Sequence, residues 1–212
     1  MYRLLLLFAA ALTIASCSDD MEPSSDTTPT SYMPLQTGNY WVYQVDRINP
    51  DGTITATDDL DSIHVLSNTF SDGIEYHSVL FMQESLGNQQ IIKLIRDSLG
   101  YLVTSDHEIL FSPEDDDAVL HRFEEMHPNG DLLFAIDRRM VDIGATTSTP
   151  AGTFTTRNAA GFFTPGPVLD TDCNLTQDRR YAEGIGLVEL TDFFATSCHV
   201  IRRQLLRYNI EE

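Results

Sequence analysis

Basic residues are scarce in this chain. Thirteen Lys and Arg stand against 32 Asp and Glu, a formal net charge of −19. Nucleic acids and anionic lipid headgroups reward clustered Lys and Arg, so this balance argues against both, and no nucleic-acid partner is expected. Charge of one sign opposes association and suits an exposed, soluble domain. Cysteine is nearly absent, at three residues, with no C-x-x-C pair. Long apolar runs are missing after Ile14, and no stripe of helical period exceeds about two turns, which argues against a helical bundle. There are no long repeats. The chain also lacks a G-x-S-x-G elbow, an H-E-x-x-H pair and a phosphate-cradling glycine loop. His107-Glu108 begins like a zinc motif, but Phe111 stands where the second histidine is needed. No catalytic residue, cofactor or metal centre is therefore expected from motifs.

What is present begins at the amino terminus. Arg3 gives a short positive start, Leu4–Ile14 is apolar apart from Thr13, and Ala15-Ser16 are small. This is the pattern of a secretory signal, too short for a stable membrane span. Ile14-Ala15-Ser16-Cys17 resembles the lipobox of bacterial lipoproteins, which implies cleavage before Cys17 and lipidation of that residue. Several acyl chains would anchor the protein firmly to a membrane. Ser18-Asp19-Asp20 is similar to the acidic signal that sends many Bacteroidota lipoproteins to the outer face of the outer membrane. Met21–Ser31 is rich in Ser, Thr, Pro and Asp, the composition of a disordered tether; such a coil would span on the order of 20 Å. The expected organisation is a signal peptide over 1–16, a lipidated cysteine and tether over 17–31, and a single β-rich domain over 32–212. Removing 16 of 212 residues leaves 196, a length suited to one domain.

The rest reads as strands between turns. Trp41, Tyr43 and Val45 alternate with polar residues along Tyr40–Arg47. Asn49-Pro50-Asp51-Gly52 and Asp72-Gly73 are turn signals. Further strands are expected at Leu60–Leu66, Ile74–Gln83, Ile91–Asp97, Tyr101–Ser105, Glu108–Ser112, Leu132–Ile143 and Gly152–Ala160. Arg180–Phe194 and Val200–Ile210 read as a closing hairpin. Val119–Met126 reads as one or two helical turns, and Phe162–Arg180 as a long loop. The expected class is mainly β, an antiparallel curved sheet forming a partial barrel or sandwich, with little helix apart from the signal peptide.

Three segments carry a wider resemblance. Tyr32-Met33-Pro34-Leu35-Gln36-Thr37-Gly38-Asn39-Tyr40-Trp41-Val42-Tyr43 resembles the opening of a set of uncharacterised Bacteroidota outer-membrane lipoproteins. Pro150-Ala151-Gly152-Thr153-Phe154 and Tyr181-Ala182-Glu183-Gly184-Ile185-Gly186-Leu187-Val188 resemble their later signatures. The resemblance implies a curved antiparallel sheet or partial barrel and brings no catalytic residue. Gly184 and Gly186 suit a strand bend or bulge, and a buried Trp41 needs a partner for its N–H.

The remaining candidates are weighed on chemistry. With Cys17 lipidated, Cys173 and Cys198 are an even pair in an oxidising compartment. A bridge would close a loop worth about 3.5 kcal/mol in the chain-entropy model; against it, the loop before Arg180 must run back beside the last hairpin, and two free thiols are the alternative. Asp115-Asp116-Asp117 with His121, Glu124, Glu125 and His127 has metal-binding residue types but no template spacing, and reads first as a solvated acidic loop. Asp170-x-Asp172-x-Asn174 starts like a calcium loop, yet Leu175 and Tyr181 occupy the positions of its glycine and glutamate. His64 and His77 read as packed or edge histidines of strands. Asp26-Thr27-Thr28, Asp61-Ser62-Ile63 and Asp97-Ser98-Leu99 resemble Bacteroidota O-glycosylation acceptors, with Thr27 in the tether the best placed.

The functional expectation is a non-enzymatic, lipid-anchored protein of the outer membrane, displayed on the cell surface as a binding or structural module. It is held to the membrane by its anchor and meets a protein or glycan partner of unknown identity. The alternatives are a periplasm-facing carrier of an apolar ligand walled by Trp41, Tyr43, Phe81 and Phe154, and a metal-dependent hydrolase using the His121–His127 region.

Overall fold

The computed structural model describes residues 31–114, 117–173 and 175–211. Cys17, Ser18, Asp19, Asp20, Thr27, Asp115, Asp116 and Asn174 lie outside the described residues. The described chain is antiparallel β almost throughout, with one 3-10 turn at Glu84–Leu86. Strands β1 (Tyr40–Ile48), β2 (Ile54–Ser71), β3 (Ile74–Gln83), β4 (Gln89–Ser98), β5 (Tyr101–Thr104) and β6 (Ile109–Phe111) form one run of hairpins. The second half contributes β7 (His121–Met126), β8 (Leu132–Thr149), β9 (Gly152–Pro165), β10 (Thr176–Gln177), β11 (Arg179–Ala182), β12 (Gly186–Phe194) and β13 (His199–Asn209). All belong to one sheet in the order β6-β5-β4-β3-β2-β1-β13-β12-β11-β9-β8-β7, with β10 beside β9.

The closing step of this topology is the pairing of first and last strands. β1 lies against β13 from Tyr40↔Asn209 to Ile48↔Val200 and joins the two halves at the centre of the sheet. The sheet then curls until its free edges approach as a nearly closed barrel. Side chains span the seam: Arg138 on β8 donates to Glu108 before β6 at 2.6 Å, and Arg157 on β9 donates to the Pro113 carbonyl at 2.7 Å. Side chains that alternate along each strand therefore point either into the lumen or outward. Trp41, Tyr43, Val45, Val79, Ile95, Leu102, Phe111, Val188 and Leu205 are among the most deeply buried residues.

The three signature segments meet at one place. Trp41 donates its Nε1 to the Ile185 carbonyl at 2.7 Å. Gly184 N donates to Ser31 O at 2.9 Å, so the first described residue is tied to the β11–β12 turn. Ala151 N donates to Leu205 O at 2.9 Å, which docks the tip of the β8–β9 hairpin on β13. Gly186 has φ of +107°, and a Cβ there would lie 3.0 Å from Trp41 Nε1. The glycine thus meets two demands at once: a backbone conformation closed to most residues and room for the indole.

Several sequence expectations are corrected. Val119–Met126 is not helical: β7 pairs with β8 from His121↔Arg138 to Met126↔Leu132, and the long partner strand supplies hydrogen bonds that a short helix would have to make alone. Phe162–Arg180 is not all loop, because β9 stays paired with β8 as far as Phe134↔Pro165, β10 follows at Thr176–Gln177, and β11 begins at Arg179. Arg180–Phe194 is not one strand: the turn at Glu183–Ile185 divides it into β11 and β12, which pair with each other. β2 and β8 are each 18 residues long, well beyond their apolar cores; tertiary pairing extends them through polar sequence. Cys173 and Cys198 are joined by a disulfide with a Cα–Cα distance of 5.4 Å. The loop does run back beside the β12–β13 turn, where Thr171 Oγ1 donates to the Ala195 carbonyl at 2.9 Å.

Gly186→Ala is expected to lower stability by about 1–3 kcal/mol through overpacking and backbone strain. The check is a thermal melt followed by near-ultraviolet circular dichroism, which also reads the environment of the one Trp.

Candidate functional site

The lumen holds a cavity of about 380 Å³ between the two halves of the barrel, within the range of small-molecule sites. Its apolar lining comes from Phe81 of β3, Leu86 of the 3-10 turn, Ile91 of β4, Leu110 of β6, and Leu187 and Leu190 of β12. Its polar lining includes Lys93, Arg138, Arg179, Tyr181 and Asp192. A second cavity of about 360 Å³ is lined by Glu108, His121, Phe123 and Ile136 and by the same Lys93, Arg138 and Arg179. The three cations thus stand where the two cavities adjoin.

Strand register explains the placement. Lys93 lies opposite Val79 and in phase with Ile91 and Ile95, so it points to the same face as those apolar residues. Arg179 lies opposite Leu190 on β12, and Tyr181 opposite Leu187. Arg138 pairs with Gly161 across β9 and with His121 across β7.

The charged groups form two connected ion-pair sets. Glu108 binds Arg138 at 2.6 Å and Lys93 at 3.3 Å. Asp192 binds Arg179 at 2.5 Å and Arg203 at 2.7 Å. Beneath them Arg203, 1% exposed, pairs with Asp61, 2% exposed. Ser85 Oγ donates to Asp61 at 2.6 Å.

Burial pushes the Glu108 carboxyl upward, but the Arg138 hydrogen bond and charge, with Lys93, outweigh it and hold its pKa below the ordinary carboxylate range. Burial acts likewise on Asp192, and Arg179 and Arg203 again win, leaving its pKa lowered. Burial raises the Tyr181 hydroxyl above its usual value, with Arg138 and Arg179 opposing. Tyr181 is 4% exposed, lines the first cavity, and its hydroxyl makes no hydrogen bond to the described residues.

Of the residues singled out as carrier walls, only Phe81 lines the cavity of about 380 Å³. Trp41 is sealed in the core, Tyr43 donates its hydroxyl to the Leu187 carbonyl at 2.9 Å, and Phe154 lines a separate groove beside Tyr32 and Ile185. Among the metal-type residues, His121 faces the second cavity, Glu124 pairs with Arg122 at 2.8 Å, and His127 contacts Asn129 at 2.8 Å in the β7–β8 turn. No three His, Cys, Asp or Glu side chains converge among the described residues. His64 stacks on Tyr40 with ring centroids 5.9 Å apart, and burial lowers its pKa. Ser62 sits inside β2, whereas Ser98 ends β4 beside Leu99, which is 87% exposed.

Sequence reasoning missed Lys93, Glu108, Arg138, Arg179, Tyr181 and Asp192 as a group. A signal existed for some. Lys93 between Ile91 and Ile95, and Arg203 between Ile201 and Leu205, are cations at the inward positions of otherwise apolar strands. Such positions demand buried partners.

Glu108 and Asp192 have depressed pKa values when folded, so the stability they contribute is present above their unfolded values and lost as pH falls through the folded ones. Denaturant midpoints should hold near neutrality and decline progressively below about pH 4. Asp192→Asn should be destabilised at pH 7 and show a shallower acid decline than the parent in the same titration.

No protein-family model matches the chain, and no curated protein matches it. Among solved structures it is similar to a candidate exported protein of Bacteroides fragilis with a YmcC-like fold, at 16% identity and a TM-score of 0.46, covering 85% of this chain and 99% of that one. It is also similar to a candidate lipoprotein of Parabacteroides distasonis, at 11% identity and a TM-score of 0.43, with the same 85% and 99% coverage.

Proposed function

We propose that this protein is a lipid-anchored, non-enzymatic binding module of the outer membrane whose barrel holds a small apolar ligand in its lumen. The observation that carries the reading is the cavity of about 380 Å³ with Phe81, Leu86, Ile91, Leu110, Leu187 and Leu190 on its walls. Concave apolar surface beside a few fixed polar groups is the general form of a ligand site. The polar groups also favour binding over catalysis. Glu108 and Asp192 are held ionised by cations, with pKa values below the usual range, which makes them weak general bases near neutral pH.

The anchor is proposed from the resemblance of Ile14-Ala15-Ser16-Cys17 to a lipobox, and surface display from Ser18-Asp19-Asp20. The acidic composition is compatible with either face of the membrane.

Native mass spectrometry of protein purified from its own cells should find an apolar small molecule bound. Ile91→Trp, at a wall position that is 41% exposed, should fill the cavity and abolish that adduct while the melting temperature stays near the parent value. An adduct that persists in this variant would refute the lumenal site. For location, protease added to intact cells should digest the domain, with lysed cells as control. Protection until lysis would place the module in the periplasm and favour a carrier role there.

A further inference from the structure

We infer that the lumenal ligand is an amphiphile with a single carboxylate headgroup, received by Tyr181, Arg138 and Lys93 where the two cavities adjoin; this rests on the lumenal-binding reading above. Three observations point to it.

The first is charge. The two cavities are lined by three cations, Lys93, Arg138 and Arg179, against two carboxylates, Glu108 and Asp192. The deeper Arg203 and Asp61 balance each other. One positive charge is thus in excess inside a chain whose formal charge is −19. One carboxylate would bring the lining to neutrality.

The second is unused hydrogen-bonding capacity. Arg138 donates through Nη1 alone, to Glu108 and the Ile109 carbonyl, and its Nε and Nη2 make no hydrogen bond to the described residues. Lys93 Nζ gives one of its three, to Glu108 at 3.3 Å. The Tyr181 hydroxyl gives none, although the residue is 4% exposed and borders the cavity. These residues line the cavities, so their unused donors are open to a ligand. Burial keeps this phenol protonated, so it has a proton to donate, and a carboxylate accepts from both hydroxyl and guanidinium donors.

The third is the layout. The polar groups stand beside apolar walls from β3, β4, β6 and β12, so an acyl tail follows where the headgroup is held.

The test uses the full-length protein in lipid nanodiscs, titrated calorimetrically at neutral pH with octanoate, 1-octanol and octyl phosphate, with empty discs subtracted. Octanoate should bind at least about tenfold more tightly than octanol, the scale of a hydrogen bond to a charged group. Tyr181→Phe should weaken octanoate about tenfold and leave octanol unchanged. Lys93→Met should do the same, and its half-exposed side chain makes it the safer variant for folding. Equal affinity for octanoate and octanol, or octanoate binding indifferent to both substitutions, would overturn the headgroup assignment while leaving the lumenal site intact. Tighter binding of octyl phosphate, a dianion, would overturn it in favour of a phosphate. Failure of all three probes would remove the lumenal reading itself.

Discussion

A sheet of this many strands, once curled on itself, encloses more space than apolar side chains readily fill. Small barrels pack their interiors solid, and wider ones leave room. Here the filling is divided. Trp41 and its neighbours seal one region, where Gly186 lets the indole lie against the turn that accepts its hydrogen bond. Elsewhere charged side chains occupy the lumen, and open volume remains between them and the apolar walls. Both the fold and the proposed site follow from this one geometric constraint.

The charged interior has an energetic cost that its geometry must offset. Removing Arg203 and Asp61 from water costs several kcal/mol per ion, repaid only if every lone pair and proton finds a partner. The partners are present. Arg203 reaches Asp61 on β2, Asp192 on β12 and Ser85 in the 3-10 turn, so one side chain from β13 ties together neighbouring strands on both sides of it. Arg138 and Glu108 repeat the device across the seam, where no strand ladder joins β6 to β7 among the described residues. Buried pairs of this kind contribute little to net stability, whereas removing one partner alone is strongly destabilising.

Much of the architecture was legible because strand pairing writes itself into alternation and turns. Trp41, Tyr43 and Val45 marked the inward face of β1, and Asp72-Gly73 marked the β2–β3 turn, where both residues have positive φ. The missed strands share a cause. β7, the far ends of β8 and β9, and β10 have polar or mixed sequence, and they are strands because a neighbouring strand offers its hydrogen bonds. Of the candidate site, Phe81 was legible as an aromatic on an apolar face. Arg138, Arg179, Tyr181 and Asp192 were not, because they come from β8, β11 and β12 and meet Lys93 of β4 only after the sheet closes.

The sequence by itself determined the export-type leader pattern, the acidic balance, the β class and most of the hairpins, since each depends on residues adjacent or nearly adjacent in the chain. Closure was decided by tertiary structure. β1 meets β13 across the whole length of the domain, and Glu108 meets Arg138 across the seam. The company that Lys93, Arg138 and Arg179 keep is a property of that closure, because it depends on which side chains share the lumen and not on how many of each the chain contains.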